Sequence, residues 1–232
     1  AVIGSFLTGQ YHMLMFYLFD VRPAILARRR KGGDDLISHL ICQGYSDREI
    51  LTECLTYGAA GMATTREFIV MAALRLLEHD DLRTRFLAAD EAEQIAILDE
   101  VLRLEPVVSL LKRRAVRDLT LETEAGPIEI AARTLVEIDI RAANRDPVAA
   151  GACPHDLDPD RVRGARVSPS VMSFGDGPHR CPGASVALLE TAVILSRLLR
   201  VPGLRLEQAP LRSANALTAS YELRNAVITA DR

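Results

Sequence analysis

The sequence predicts a mainly α-helical fold with a small β section. Apolar residues recur at helical spacing in several long segments, whereas alternating and β-branched residues characterise 118–140 and the stretch after Leu204. The chain has 232 residues, of which 49% are hydrophobic and 25% charged. These values are typical of a packed globular protein and exclude a disordered chain, a fibrous repeat and a disulfide-stapled miniprotein.

Two helices are predicted at the start of the chain. The first runs from Tyr11 to Lys31, where basic residues and two following glycines form a stop signal, and Pro23 kinks or divides it. The second is short, begins after Asp34 and Asp35 and ends at Cys42.

A long helix is predicted next. Ser46 and Glu49 form a capping box, and the helical pattern then continues without proline to about Glu78, a length of roughly 50 Å. Glycines and threonines at 58–65 interrupt the better helix formers. Small residues there indicate either a tight helix crossing or the close approach of another group to the backbone.

The second half of the chain mixes helices with β structure. A helix is predicted over Glu91–Leu104, and a hairpin is predicted from strands over 118–123 and 127–140. Residues 144–170 are rich in proline and predict a long loop, which usually serves a purpose in a compact domain. The last helix is predicted over 182–199 with Pro182 in its first turn, followed by short strands.

Charge and hydropathy narrow the classes of partner. With 28 basic and 31 acidic residues the net charge is −3, which gives no field to attract nucleic acid. No apolar stretch reaches the length of about 18 residues that a membrane span needs, and the sequence starts without a signal-peptide pattern. A cytoplasmic protein is therefore predicted, with its four cysteines kept as thiols.

The segment from Ser173 to Gly183 is the most informative motif. Its glycines and Pro178 favour a tight turn that brings Cys181 to the mouth of the last helix. The helix dipole and its free N–H groups favour a thiolate there, which is the state that binds metal. No C-x-x-C partner accompanies this cysteine, which argues against a four-thiolate zinc or iron–sulfur site.

This segment resembles the haem-ligand loop of the cytochromes P450. The family pattern F-x-x-G-x-[HR]-x-C-x-G is met at every fixed position, by Phe174, Gly177, His179, Cys181 and Gly183. The resemblance identifies the fold as the C-terminal portion of the cytochrome P450 fold, in a single haem-binding domain over 1–232.

Other motifs resemble the family in the same order along the chain. Glu100 and Arg103 match the E-x-x-R pair, and Arg161 matches the third member of that charge triad. Residues 142–147, with the sequence AANRDP, look like the bacterial soluble members. An E-x-x-R pair alone is also an ordinary helix salt bridge. It therefore supports the resemblance only together with the other motifs.

The resemblance implies a role for each residue of the proximal side. Cys181 would be the axial thiolate ligand of the iron of haem b, and Phe174 would shield its sulfur. Backbone amides around Gly175 and Gly183 would tune the redox potential by hydrogen bonding to that sulfur. His179 and Arg113 would bind the haem propionates.

On the distal side, the resemblance assigns the oxygen-binding groove to the long helix. Ala60 and Gly61 would form the groove, and Thr64 would hydrogen-bond dioxygen and help to deliver protons. The pocket would be lined by 108–111, 59–64 and 217–219, whose small and aliphatic residues suggest an apolar ligand.

The implied activity is a monooxygenase that hydroxylates a small apolar organic molecule with O2. Electrons would come from a ferredoxin or flavoprotein that docks near Arg180. The residue before Thr64 is Ala63 where the family usually has an acid, so proton delivery needs another route and peroxide-dependent oxidation is an alternative.

The length of the chain leaves further alternatives open. The family's N-terminal portion is absent from the match, which is consistent with a fragment, with a truncated or degenerate haem-binding homologue without turnover, or with a pocket completed by another chain. A zinc module is a different class of hypothesis, since four N or S ligands are available in Cys153, His155, His179 and Cys181.

Overall fold

The computed structural model describes residues 2–123, 125–161, 167–216 and 218–231, with side chains from residue 9 onward. It divides into two compact units, Ala1–Met62 and Ala63–Arg232. The prediction of a single haem-binding domain over 1–232 stays a prediction.

The first unit is helical. It contains α1 (Val2–Phe16), a π-helical turn (Tyr17–Val21), α2 (Arg22–Arg30), α3 (Leu36–Cys42) and the start of α4 (Asp47–Glu78). The first predicted helix therefore begins earlier than Tyr11 and is divided, as expected, just ahead of Pro23, whose ring and missing N–H interrupt the helical ladder. Four buried residues form its core: Val21, Ile25, Leu40 and Ile50.

The helices of the second unit include three that the sequence analysis missed, one longer helix and two of a single turn. After the end of α4 come α5 (Asp80–Ala88), α6 (Glu91–Leu104), α7 (Ile140–Ala143), α8 (Pro147–Ala150) and α9 (Ala184–Leu198). Helix α5 follows α4 with only His79 between them, which hides the boundary in the hydrophobic pattern. The prediction that Pro182 lies in the first turn of the last helix is wrong, because α9 begins at Ala184 with Gly183 as its N-cap.

Four two-stranded antiparallel sheets lie in the described part of this unit. They pair β1 (Leu110–Arg114) with β4 (Leu135–Asp139), β2 (Leu119–Thr123) with β3 (Gly126–Ile130), β5 (Arg205–Gln208) with β8 (Val227–Thr229), and β6 (Leu211–Asn215) with β7 (Ser220–Arg224). The predicted hairpin is confirmed as β2–β3. The prediction of one strand over 127–140 is wrong, because a turn at Arg133, with φ 70°, separates β3 from β4, which pairs with β1 instead.

The core of the second unit is built mainly by α4, α6 and α9. Phe68 and Met71 of α4, Ile97 and Leu98 of α6 and Leu195 of α9 are buried together, and α6 packs against α9. The loop predicted over 144–170 is confirmed apart from α8 and from 162–166, which lie outside the described residues. No helix in the described ranges is long and apolar enough to cross a membrane.

Candidate functional site

The segment 173–183 folds back on itself ahead of α9. The backbone N–H of Cys181 donates to the carbonyl of Phe174 at 2.8 Å, which closes the loop at its base. Gly175 and Gly177 have φ values of 70° and 61°, a left-handed conformation that favours glycine. The tight turn predicted from these glycines is thus present, and its left-handed backbone conformation favours glycine at both positions.

Cys181 carries an exposed free thiol near the N-terminal end of α9. A Cβ placed on Gly183 would lie 4.0 Å from its Sγ, so the glycine leaves room beside the sulfur. Across the described ranges, no three side chains of His, Cys, Asp or Glu gather into a metal site. The four residues of the zinc alternative are therefore not assembled into one site.

The loop is anchored to the core through Phe174. Its side chain is half-buried and packs against the main hydrophobic cluster of the second unit. This packing fixes the point from which the chain leaves toward Cys181. The shielding of the Cys181 sulfur by this ring stays a prediction.

The cationic residues predicted to hold the propionates are exposed. His179 ends the short 3₁₀ turn Gly177–His179, and Arg180 follows it on the surface. Arg113 lies on β1, where its Nη1 donates to the carbonyl of Lys112 at 2.9 Å. Both groups are free of ion pairs in the described residues and accessible to an anion, and their role toward the propionates stays a prediction.

Beneath the loop, Glu100, Arg103 and Arg161 form the buried ion network that the sequence predicted. Arg103 grips the Glu100 carboxylate with Nε at 2.8 Å and Nη2 at 2.7 Å, and Nε of Arg161 donates to the same carboxylate at 3.0 Å. Glu100 and Arg103 are completely buried. Their burial distinguishes the network from an ordinary salt bridge on a helix surface.

The remaining donors of the two arginines reach backbone carbonyls of the long loop. Arg103 donates to the carbonyls of Asn144 and Pro154 at 2.8 and 2.7 Å, and Arg161 donates to that of Cys153 at 2.8 Å. Two cations and one carboxylate are therefore buried with their hydrogen bonds satisfied. The proline-rich segment 144–170 therefore supplies the acceptors that these arginines need.

The network keeps Glu100 ionised. Burial acts to raise the pKa of Glu100, but hydrogen bonds from Arg103, from the backbone N–H of Asp158 and from Arg161 outweigh burial and lower it. The carboxylate consequently holds both guanidinium groups as an anion at neutral pH.

Asn144 joins this network to the ligand loop, a role that the sequence analysis did not assign. Its Nδ2 donates to the carbonyl of Arg103 at 2.9 Å and to Oγ of Ser173 at 2.8 Å, while its Oδ1 accepts from the backbone N–H of Met172 at 2.8 Å. The residue is completely buried. Its place in the AANRDP segment was the only signal in the sequence for this role. That signal did not identify its partners, which lie 28 to 41 positions away along the chain.

The residues of the predicted oxygen groove all lie on α4. Ala60 and Gly61 belong to the first unit and Thr64 to the second, which also holds Cys181. A Cβ placed on Gly61 would meet no described atom within 4 Å, so there is open space beside that residue. The structure thus brings the loop, the ion network and Asn144 together, and the groove roles of Ala60, Gly61 and Thr64 stay predictions.

The chain matches the model of the family described as cytochrome P450 over residues 95–210. It is 35% identical over 201 residues to cytochrome P450 105C1 of a Streptomyces species, and 32% identical over 206 residues to nocardicin C N-oxygenase of Nocardia uniformis. These matches cover 83% and 84% of this chain but 50% and 49% of the relatives. The chain therefore spans about half the length of the curated relatives it matches.

Solved structures give the same result for the fold. CalO2 superposes with a TM-score of 0.75 at 28% identity, covering 96% of this chain and 54% of that chain. CYP109E1 of Bacillus megaterium, solved in complex with corticosterone, superposes with a TM-score of 0.77 at 27% identity and covers 94% and 56%. The predicted mainly α fold with small sheets is confirmed.

Proposed function

Because this chain belongs to the cytochrome P450 family, we propose that it binds haem b through Cys181 and takes part in the monooxygenation of a small apolar organic molecule. The observation that carries the proposal is one exposed thiol at the end of a closed loop. That loop is tied through Asn144 to a complete buried ion network. The network is complete within this chain, and the Cys181 thiol is exposed and free of a disulfide.

The residues present fit haem. Haem brings four nitrogen ligands of its own and needs an axial ligand from the protein, which agrees with a loop that offers one sulfur. It also brings two carboxylates, and Arg113 and His179 are exposed groups able to bind them. When bound, haem supplies the activation of O2, and a thiolate ligand favours cleavage of the O–O bond.

The remaining roles fall to side chains of this chain. The hydroxyl of Thr64 would pass a proton toward the reacting oxygen. The open space beside Gly61 on α4 would admit that oxygen. The segments 108–111 and 217–219 would bind the apolar substrate, with Leu217 itself outside the described residues. A ferredoxin or flavoprotein would deliver electrons at the surface near Arg180.

The test is the carbon monoxide difference spectrum of the purified chain loaded with hemin and reduced. We expect the red-shifted Soret band of thiolate ligation, and its complete loss in Cys181→Ser. Cys42→Ser removes another exposed thiol, in the first unit, and should leave the band unchanged. No haem uptake, or equal spectra for the wild type and Cys181→Ser, would overturn the proposal.

Ala63 favours a second candidate, a haem-binding homologue that does not turn over. The methyl group of Ala63 cannot carry a proton, so the hydroxyl of Thr64 lacks the neighbouring acid that is usual in the family. With a surrogate ferredoxin and its reductase, we expect Ala63→Asp to increase product formation and to reduce peroxide release. Val148→Asp adds the same charge at an exposed position outside the proposed pocket and serves as the control. No product from either the wild type or Ala63→Asp would favour the second candidate, and peroxide-driven product formation would favour the peroxide-dependent alternative.

A further inference from the structure

The β6–β7 hairpin is attached to the helices by two buried carboxylates that none of the roles above uses. Glu105 is the C-cap of α6 and Glu67 lies on α4, and both side chains are nearly completely buried. Their partners on the hairpin are Tyr221 and Arg224, both on β7. Two anions on the helices therefore hold one strand at positions three residues apart.

The attachment at Glu105 involves four side chains. The Tyr221 hydroxyl donates to Oε2 of Glu105, and Nη2 of Arg75 donates to Oε1. The guanidinium of Arg212 lies 3.9 Å from the centre of the Tyr221 ring. Burial acts to raise the pKa of Glu105, but the hydrogen bonds from Tyr221 and Arg75 outweigh it, so the carboxylate stays ionised.

The attachment at Glu67 is a two-point ion pair. Nη2 of Arg224 donates to Oε1 at 2.8 Å and Nη1 donates to Oε2 at 3.0 Å. Paired contacts of this kind fix direction as well as distance. With both attachments in place, β7 has little freedom to slide or tilt against α4 and the end of α6.

The turn of the hairpin is in addition joined to the segment 106–109. The backbone N–H of Ser109 donates to the carbonyl of Thr218 at 3.2 Å, and the hydroxyls of Ser109 and Ser220 are 2.9 Å apart. Ser220 also donates to the carbonyl of Pro106 at 3.3 Å. Ser109 and Thr218, which belong to the two segments proposed to line the substrate pocket, are thus in direct contact.

We propose that Glu105 and Glu67 are positioning residues that set the place of the turn residues Thr218 and Ala219, and so the size of ligand that the pocket accepts. This inference rests on the proposed function for the identity of the pocket. The physical reason is that a turn tied to 106–109 by a few neutral hydrogen bonds would fluctuate unless its strand were fixed. Hydrogen bonds to buried charged groups are the stronger kind and supply that constraint.

The first arm of the test is hydrogen exchange of the purified chain. Tyr221→Phe removes the hydroxyl that binds Glu105 and keeps the ring beside Arg212. We expect exchange of the Ser109 amide and of the β6–β7 amides to become about ten- to a hundredfold faster. Glu105→Gln keeps an acceptor for the Tyr221 hydroxyl and should lose less protection than Tyr221→Phe. Tyr45→Phe removes an exposed hydroxyl in the first unit and is the control.

The second arm is ligand selectivity of the hemin-loaded chain, measured by Soret shifts with imidazole and with 4-phenylimidazole. We expect Tyr221→Phe to change the dissociation constant of 4-phenylimidazole at least threefold and to leave that of imidazole unchanged. A role in stability alone would not separate the two ligands. Unchanged exchange in Tyr221→Phe overturns the positioning role, and faster exchange with an unchanged ratio of the two constants overturns the link to selectivity.

The two arms also separate this inference from the proposed function. If no variant takes up haem, the proposed function fails and the link to selectivity fails with it. The exchange arm needs no haem and still decides whether Glu105 and Tyr221 fix the turn.

Discussion

The ion network around Glu100 and the ligand loop around Cys181 are joined by Asn144 but differ in how complete they are. In the network, Glu100 and Arg103 are completely buried and their charged atoms are paired. In the loop, Cys181 and His179 are exposed, although the backbone, the Ser173 hydroxyl and the Phe174 side chain are held in place. The difference teaches that this chain contains its own support for the loop, whereas the haem-binding roles of Cys181 and His179 stay predictions.

The largest effect is expected from breaking the network. Glu100→Ala leaves two buried guanidinium groups without their anion, and we expect a loss of about 3–5 kcal/mol in the free energy of unfolding. Denaturant unfolding of the chain measures it. Glu93→Gln, on the exposed side of the same helix, should leave the midpoint nearly unchanged. Equal midpoints for Glu100→Ala and the wild type would show that the network is not a source of stability.

A smaller effect is expected from cutting the connection between the two regions. Asn144→Ala removes the donor to Ser173 and the acceptor of the Met172 amide, which costs about 1–3 kcal/mol. Because the loop loses its link to the network, hemin affinity should fall as well. The checks are thermal unfolding and hemin titration followed at the Soret band. A stability loss with unchanged hemin affinity would separate the two regions.

The loop backbone can be tested alone by a matched pair of glycines. Gly175→Ala forces a side chain into a left-handed conformation with its Cβ 3.4 Å from the carbonyl oxygen of His179. We expect a loss of about 1–2 kcal/mol. Gly183→Ala has an ordinary φ of −94° and meets Sγ of Cys181 only at 4.0 Å, so stability without haem should hardly change. Similar losses in both variants would argue against conformational strain as the cause.

Lowering the pH should gradually remove the contribution of the Glu100 network to stability. The pKa of Glu100 is lower in the folded chain than in the unfolded chain, so the folded state binds fewer protons there. Its contribution is fully present above the unfolded pKa, near 4.5, and is lost as pH falls through the folded value. One carboxylate changes stability by at most about 1.4 kcal/mol per pH unit. The difference between the pH–stability curves of the wild type and Glu100→Gln measures this contribution, and parallel curves below pH 4.5 would contradict the assignment.

Local signals predicted most of the elements. The capping box at Ser46 and Glu49 forms as expected, with the Glu49 carboxylate accepting from the Ser46 backbone N–H at 2.8 Å. The β2–β3 hairpin and the helix over Glu91–Leu104 were likewise readable from turn residues and periodicity. Strand β1 and helix α5 were missed, because β1 is defined by pairing with β4 and α5 by a break of a single residue.

The sequence by itself determined the family and the turn that presents Cys181, because a short motif carries its own conformational rules in its glycines and proline. Tertiary structure alone decided that Asn144 links the ion network to the loop, and that Glu105 and Glu67 hold β7. Those contacts join residues 29 to 157 positions apart. A hydrogen bond between distant residues leaves no periodic trace in a sequence, whereas a turn or a cap does.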